Sequence, residues 1–231
     1  MTRALSALRL VVAIDGPAAS GKSTAGRMLA DRLGYLYVNS GAMYRAAAWR
    51  LNRMGIAPDQ PERVAAAVEI MEILYLPPDG RKGSRILVDG TDVTGEISTA
   101  EVGQMASAVS AIPAVRRRLV ALQQQTGAEG RVVMDGRDIG SKVFPRAHVK
   151  FYLDAGLDTR ARRRWRELLE QGETLPLEEL RRQLAQRDHD DSTREDSPLV
   201  RTSDAHLVDS GGMNPEQVVD CMIRKIHSML C

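Results

Sequence analysis

The sequence predicts an α/β domain built around a mainly parallel sheet. Two observations carry that expectation. Short β-rich runs alternate with helical patterns along the chain, which is the order parallel sheets require. The runs are also continuously apolar, as strands covered on both faces must be. The chain has 231 residues, 43% of them hydrophobic. That is ample for one core, so a single domain over 1–231 is expected, with room for a small insertion.

The elements follow in order. "LRLVVAID" reads as a buried strand ending in a glycine turn. "KSTAGRMLADRLG" then sets Ala25, Met28, Leu29 and Leu33 on one helical face, with Gly34 as the stop. "YLYVN" reads as a second strand, followed by a helix through "AMYRAAAWRLNRMG". Later come the strand-like runs "RVVMD", "VKFYLDA" and "AHLVDS". The last helix starts with Asn214 as cap and Pro215 in its first position. Its Val218, Val219, Met222, Ile223, Ile226 and Leu230 form one stripe.

One stretch breaks this rhythm. "EILYLPPDGRKGSRILVDGTDVTGEIS" holds three strand-like pieces separated by the turn signals "PPDGRKG" and "DG". Local antiparallel pairing does not fit inside a parallel sheet, so a small antiparallel insertion is expected over residues 66–98. The charged stretch "LDTRARRRWRELLEQGETLPLEELRRQLAQRDHDDSTR" reads as exposed helices around the turn "QGETLP".

Composition removes several function classes. Lys and Arg number 32 against 30 for Asp and Glu, a net charge of +2, which argues against a general nucleic-acid binder. Cys221 and Cys231 have no metal-ligand spacing and read as idle thiols in a reducing compartment. "MTRALSALRL" lacks the apolar core of a secretory signal, and no run approaches the roughly 20 residues of a membrane span. A cytoplasmic monomer acting on small molecules, with no nucleic-acid or membrane partner, is the expectation.

The first chemical signal is "AIDGPAASGKST". Gly16, Gly21, Lys22 and Ser23 stand at the spacing G-x-x-x-x-G-K-[ST], with a strand before and a helix after. A helix N-terminus offers unpaired N–H groups and partial positive charge, and a glycine loop wraps them around a phosphate. Lys22 supplies a point charge to the transferring phosphate, and Ser23 offers a hydroxyl to Mg²⁺. Such a loop serves a GTPase switch, a motor ATPase or a small-molecule kinase. No guanine-reading [NT]-K-x-D segment is present, which counts against the switch.

A small-molecule kinase needs a second anion site. "NSGAMYR", "MDGRDIG" and "RDHDDSTR" supply Ser40, Tyr44, Arg45, Asp135, Arg137, Asp138, Arg187, Asp191 and Arg194. The first two segments follow strands, at the sheet edge where ligands of open α/β folds bind. Asp135 is either a magnesium group or a turn-forming residue before Gly136.

Here a specific resemblance appears. In "IDGPAASGKST", "NSGAMYR", "DGRDIGSKVFPRAHVKFYLDA", "RARRR", "RDHDDSTR" and "SDAHLVDS" the chain resembles the bacterial cytidylate kinases, a family of nucleoside monophosphate kinases. The segments cover essentially the whole chain, from Leu10 to Leu230. The resemblance implies a P-loop NTPase-type core of five parallel strands flanked by helices, an antiparallel insertion and a helical lid, here about residues 158–185. It implies phosphorylation of CMP and dCMP by ATP with Mg²⁺. The loop Gly16, Pro17, Ala18, Ala19, Ser20, Gly21, Lys22, Ser23 and Thr24 would hold ATP, joined by lid residues Arg163 and Arg164. Arg45, Arg137, Arg187 and Arg194 match acceptor-phosphate arginines; Lys22, Arg137, Arg187 and Arg194 would be catalytic. Ser40, Ser107, Arg116 and Asp138 match cytosine contacts, and Asp191 with Arg194 the sugar contact. Tyr44 would pack beside the acceptor, and Ser23 with Asp135 would serve the metal. One departure is Ser23, where some members carry glycine after the lysine; the hydroxyl is kept. The alternatives are a kinase for UMP, AMP or another small anion, and an ATP-binding regulator that transfers nothing.

Overall fold

The computed structural model describes residues 5–77, 84–170 and 172–230. The elements run β1 (Val11–Asp15), α1 (Lys22–Leu33), β2 (Leu36–Asn39), α2 (Ser40–Arg53), α3 (Pro61–Ile70), β3 (Ile73–Leu76), β4 (Arg85–Val88) and β5 (Thr91–Asp92). They continue with α4 (Ala100–Val109), α5 (Pro113–Thr126), β6 (Val132–Gly136), β7 (Val149–Asp154), α6 (Leu157–Glu170), α7 (Leu177–Thr193), β8 (His206–Asp209) and α8 (Pro215–Leu230). A single π-helical turn, Ile139–Val143, follows β6.

Five strands make the main sheet in the order β2-β6-β1-β7-β8, all parallel. Two apolar cores explain the unbroken apolar strands. Val11 and Ala13 face one core, with Met43, Leu51 and Leu119. Val12 and Ile14 face the other, with Leu29, Phe151, Val219 and Ile226. Helices on both faces thus take the water off both sides of β1. Local signals set the ends. Gly34 closes α1 in the left-handed region at φ 67°. Asn214 caps α8, its Oδ1 accepting the Gln217 N–H at 2.9 Å. The expected Leu230 sits outside the buried stripe of that helix, which runs from Val218 to Ile226.

β3, β4 and β5 form a separate antiparallel sheet. Asp89 and Gly90 both have positive φ, 48° and 79°, as a two-residue hairpin turn demands. The expected boundary of 66–98 needs correction. Residues 66–70 complete α3, which Pro61 starts and whose Val64, Ala67 and Val68 are buried at helical spacing. The sheet itself occupies 73–92, and most of the turn "PPDGRKG" lies outside the described residues. Ile73, Ile86 and Val88 enter the first core, so this sheet is part of the domain's packing. Tyr75 Oη donates to the Asn39 carbonyl at 2.9 Å and ties it to the end of β2.

The charged stretch forms α6 and α7, which pack on each other around a third, smaller core of Ala18, Ala161, Leu168, Leu180 and Leu184. Gln171 and Cys231 lie outside the described residues. The helical pair runs past the expected limit of 185 to Thr193, so Arg187 and Asp191 ride on α7. Among the described residues no helix is long and apolar enough to cross a membrane.

Candidate active site

Most candidate groups lie at or just after the carboxyl ends of β1, β2 and β6 or on α6 and α7, while Ser107 is on α4 and Arg116 on α5. The glycine loop leaves β1 through Gly16 at φ 147°, where a side chain would come within 2.0 Å of the Leu153 carbonyl oxygen. Gly21 turns the chain into α1 at φ 90°. Only glycine meets both demands without strain. Lys22 opens α1, folded back so that its Nζ donates to the Pro17 carbonyl at 2.6 Å. Burial pushes its ammonium well below the ordinary lysine range, and Arg137 and Arg187 push it further while Asp135 and Asp15 oppose them. A buried cation repelled by two others is a place where an anion would be stabilised. Thr24 is exposed on the first turn of α1.

Ser23, one residue on, donates to Asp135 Oδ2 at 3.1 Å. Tyr37 Oη donates to Asp135 Oδ1 at 2.7 Å, and Asn39 Nδ2 donates to the same oxygen at 3.1 Å. Asp135 is within β6 and is 3% exposed, which rules out the turn-forming role. Its carboxyl is pushed up by burial and held down by Lys22 and by the Tyr37 and Ser23 hydrogen bonds. Ser23 and Asp135 therefore present a hydroxyl and a carboxylate side by side at the mouth of the loop. Mg²⁺ is held by one or two protein oxygens with phosphates and water completing the shell. This donor set fits that ion.

The arginines converge from four elements. Arg137 Nε meets Asp191 Oδ2 at 2.6 Å, and Arg194 lies 3.5 Å from the other oxygen of the same carboxylate. Burial and the field of Arg137 lower Arg187, with Arg45 and Arg164 adding to the effect. Burial lowers Arg45 as well, and Arg164 adds to it. Arg194 NH2 is buried with no hydrogen-bond partner. Arg187 thus lies in the repulsive fields of Arg137, Arg45 and Arg164, and Arg137 and Arg187 also act on Lys22. Arg164, expected on the ATP side, acts on Arg187 and Arg45 while pairing with Glu167 at 3.0 Å. Arg163 lies beside the glycine loop: it donates to the Ser210 carbonyl at 2.6 Å, and its NH1 is 3.8 Å from where a side chain on Gly21 would begin.

A second pair is more deeply buried. Arg116 NH1 donates to Asp138 Oδ2 at 3.1 Å and to Tyr44 Oη at 3.3 Å. The two charged side chains are 5% and 8% exposed. Burial pushes the Tyr44 phenol up to about 12, with Arg116 opposing. Ser40 is buried at the start of α2. Ser107 does not join this group by any hydrogen bond among the described residues. It is exposed on α4, and its carbonyl accepts the Ser110 hydroxyl. Ser107 and Arg116 sit on different helices, because Pro113 begins a new one after the turn at Ser110–Ile112.

Four residues at the site had not been singled out from the sequence. Tyr37 and Asn39 orient Asp135. Asp15 accepts the Ile139 and Gly140 N–H groups at 2.8 and 2.7 Å, fixing the turn after Arg137 and Asp138. Arg160 pairs with Asp188 at 2.6 Å. Asp15 and Asn39 were signalled by their place at strand ends. Nothing local marks Arg160 among its neighbouring arginines.

The cytidylate kinase family model matches residues 12–228. A cytidylate kinase of Desulfitobacterium hafniense (strain Y51) is 46% identical over 211 residues, covering 91% of this chain and 90% of that protein. Another, from Geobacter sulfurreducens, is 44% identical over 213 residues, covering 92% and 91%. Among solved structures, shikimate kinase from Acinetobacter baumannii in complex with shikimate is 15% identical with a TM-score of 0.51, covering 99% of this chain and 98% of that one. At that identity the likeness shows the fold alone.

Proposed function

The chain belongs to the cytidylate kinase family, and on that premise we propose that it transfers the terminal phosphoryl group of ATP to CMP and dCMP, giving CDP and dCDP. The observation that carries this reading is the second cationic group. Arg137 and Arg187 act on the buried Lys22 of the glycine loop, so a donor and an acceptor phosphate can lie side by side.

The roles follow from charge. The acceptor is already an anion, so no base is needed to take a proton from it, unlike a hydroxyl acceptor. The difficulty is repulsion between two polyanions. Lys22 and the glycine-loop N–H groups hold the donor. Arg45, Arg137, Arg187 and Arg194 hold the acceptor in line and offset the repulsion. Arginine suits this because its planar fork grips phosphate at two points. Ser23 and Asp135 would hold Mg²⁺, which when bound neutralises charge on the donor phosphates. Asp138 and Arg116 would read the base, and Asp191 the sugar. The α6–α7 pair serves as the lid that keeps water from the reaction.

A coupled ADP-release assay across CMP, dCMP, UMP, AMP and shikimate tests the reading. Turnover should be fastest with CMP and dCMP. Faster turnover with UMP, AMP or shikimate would overturn the substrate assignment, and ATP binding without turnover of any acceptor would make the protein a regulator.

A further inference from the structure

We propose that Arg160 is a positioning residue for phosphoryl transfer, tying the glycine loop, through Asp188, to the turn of α7 that carries Arg187 and Asp191. The proposal rests on the reading of Arg187 and Asp191 as acceptor-side groups.

A buried arginine must find partners for its guanidinium or the fold loses stability. Arg160 is 6% exposed, and its partners are unusual in their placement. Its Nε donates to the Ala155 carbonyl just before its own helix at 2.8 Å. Its NH1 donates to the Ala18 carbonyl at 3.2 Å, at the tip of the glycine loop. The same nitrogen pairs with Asp188 at 2.6 Å, on the other lid helix. One side chain thus bridges the donor loop and both helices above it.

The packing agrees with the hydrogen bonds. Ala18 belongs to the small core formed by Ala161, Leu168, Leu180 and Leu184, separate from the two cores that flank the sheet. Ala19 packs against the same core while held at φ 58°, a conformation that side chains seldom adopt. The loop tip is therefore built as part of the lid. On α7 the next link is short. Asp188 directly follows Arg187, and Asp191 lies three residues on, where it meets Arg137 at 2.6 Å. Asp188 Oδ1 is buried with no hydrogen-bond partner, so Arg160 is what holds this carboxylate in place. A shift of the loop tip is passed by Arg160 to the turn that aims the acceptor groups. Mispositioning of about 1 Å can cost on the order of a hundredfold in rate, so such a link matters to the chemistry without touching it.

The experiment is a double-mutant cycle on the full chain: Arg160→Gln, Asp188→Asn and the double variant. Arg160→Lys serves as the conservative change, keeping the charge but not the three-way reach. Thermal melting controls for folding, and steady-state rates are measured with CMP varied at saturating ATP and with ATP varied at saturating CMP. Each single variant should lower kcat/KM for CMP by about tenfold or more, with kcat falling as well as KM rising. The double variant should fall within about twofold of the worse single one, because both changes cut the same link. Arg160→Lys should lie between parent and Arg160→Gln. Penalties that multiply in the double variant, or a folded single variant within about twofold of the parent, would overturn the proposal. If Arg160→Gln does not fold, the cycle built on Arg160→Lys and Asp188→Asn decides by the same criterion. A parent that phosphorylates CMP while the penalties multiply defeats this inference alone. A parent inactive on CMP defeats the functional reading beneath it.

Discussion

Replacing Asp138 with Asn should cost CMP turnover much more than UMP turnover. Asp138 Oδ2 lies 3.1 Å from Arg116 NH1, and both side chains are almost fully buried. Alanine is the wrong probe here. It would leave the Arg116 guanidinium buried and unpaired, a loss of about 3–5 kcal/mol that would mix folding with recognition. Asparagine keeps the shape and one acceptor oxygen for Arg116, but turns the other acceptor into a donor. Cytosine presents an amino group where uracil presents a carbonyl. Losing a hydrogen bond to a charged group costs about 2 kcal/mol, which at about 1.4 kcal/mol per decade is roughly thirtyfold in kcat/KM for CMP. The new amide donor suits the uracil carbonyl, so the UMP value should hold or rise. The CMP-to-UMP ratio should therefore fall by about thirtyfold or more, read in the coupled assay with melting as the control. An unchanged ratio in a folded variant would refute the reasoning: the pair with Arg116 would then be the whole function of Asp138, and base choice would lie elsewhere.

Lys22→Met should lower kcat by on the order of 10²–10³ while melting no lower than the parent, since burial already disfavours the Lys22 charge in the fold; a lowered melting point would make the lysine structural. Asp15→Asn tests a pH effect. Burial raises the Asp15 carboxyl from 3.8 to about 6, despite the two backbone N–H groups it accepts. Across that window the folded chain holds a proton that the unfolded chain has released, so rising pH weakens the fold. The non-titrating variant should gain stability relative to the parent by on the order of 3 kcal/mol between about pH 4 and pH 7, and urea melts showing a pH-independent difference would sink this account. Ile86→Ala should cost about 2–5 kcal/mol in urea unfolding, because Ile86 is 2% exposed in the first core; a loss below about 1 kcal/mol would mean the small antiparallel sheet is an appendage.

The parallel core and the glycine loop were legible because their signals are local. The unbroken apolar run Val11–Ile14 needs two covered faces, and the structure supplies them. The loop spacing from Gly16 to Ser23 needs a strand before it and a helix after it, and both are present. The hairpin at Asp89-Gly90 was legible for the same reason, since its turn chemistry is carried by two adjacent residues. What the sequence could not decide was which side chain meets which. Arg116 finds Asp138 across 22 residues, Arg137 finds Asp191 across 54, and Arg163 finds Ser210 across 47. The segment "RARRR" gives no local reason for Arg160 to be buried against the glycine loop, for Arg163 to face Ser210 and for Arg164 to act on Arg187 and Arg45. Those assignments depend on where the helix sits over the sheet. Charge–charge energies fall with distance and rise with burial, and only the tertiary structure sets both.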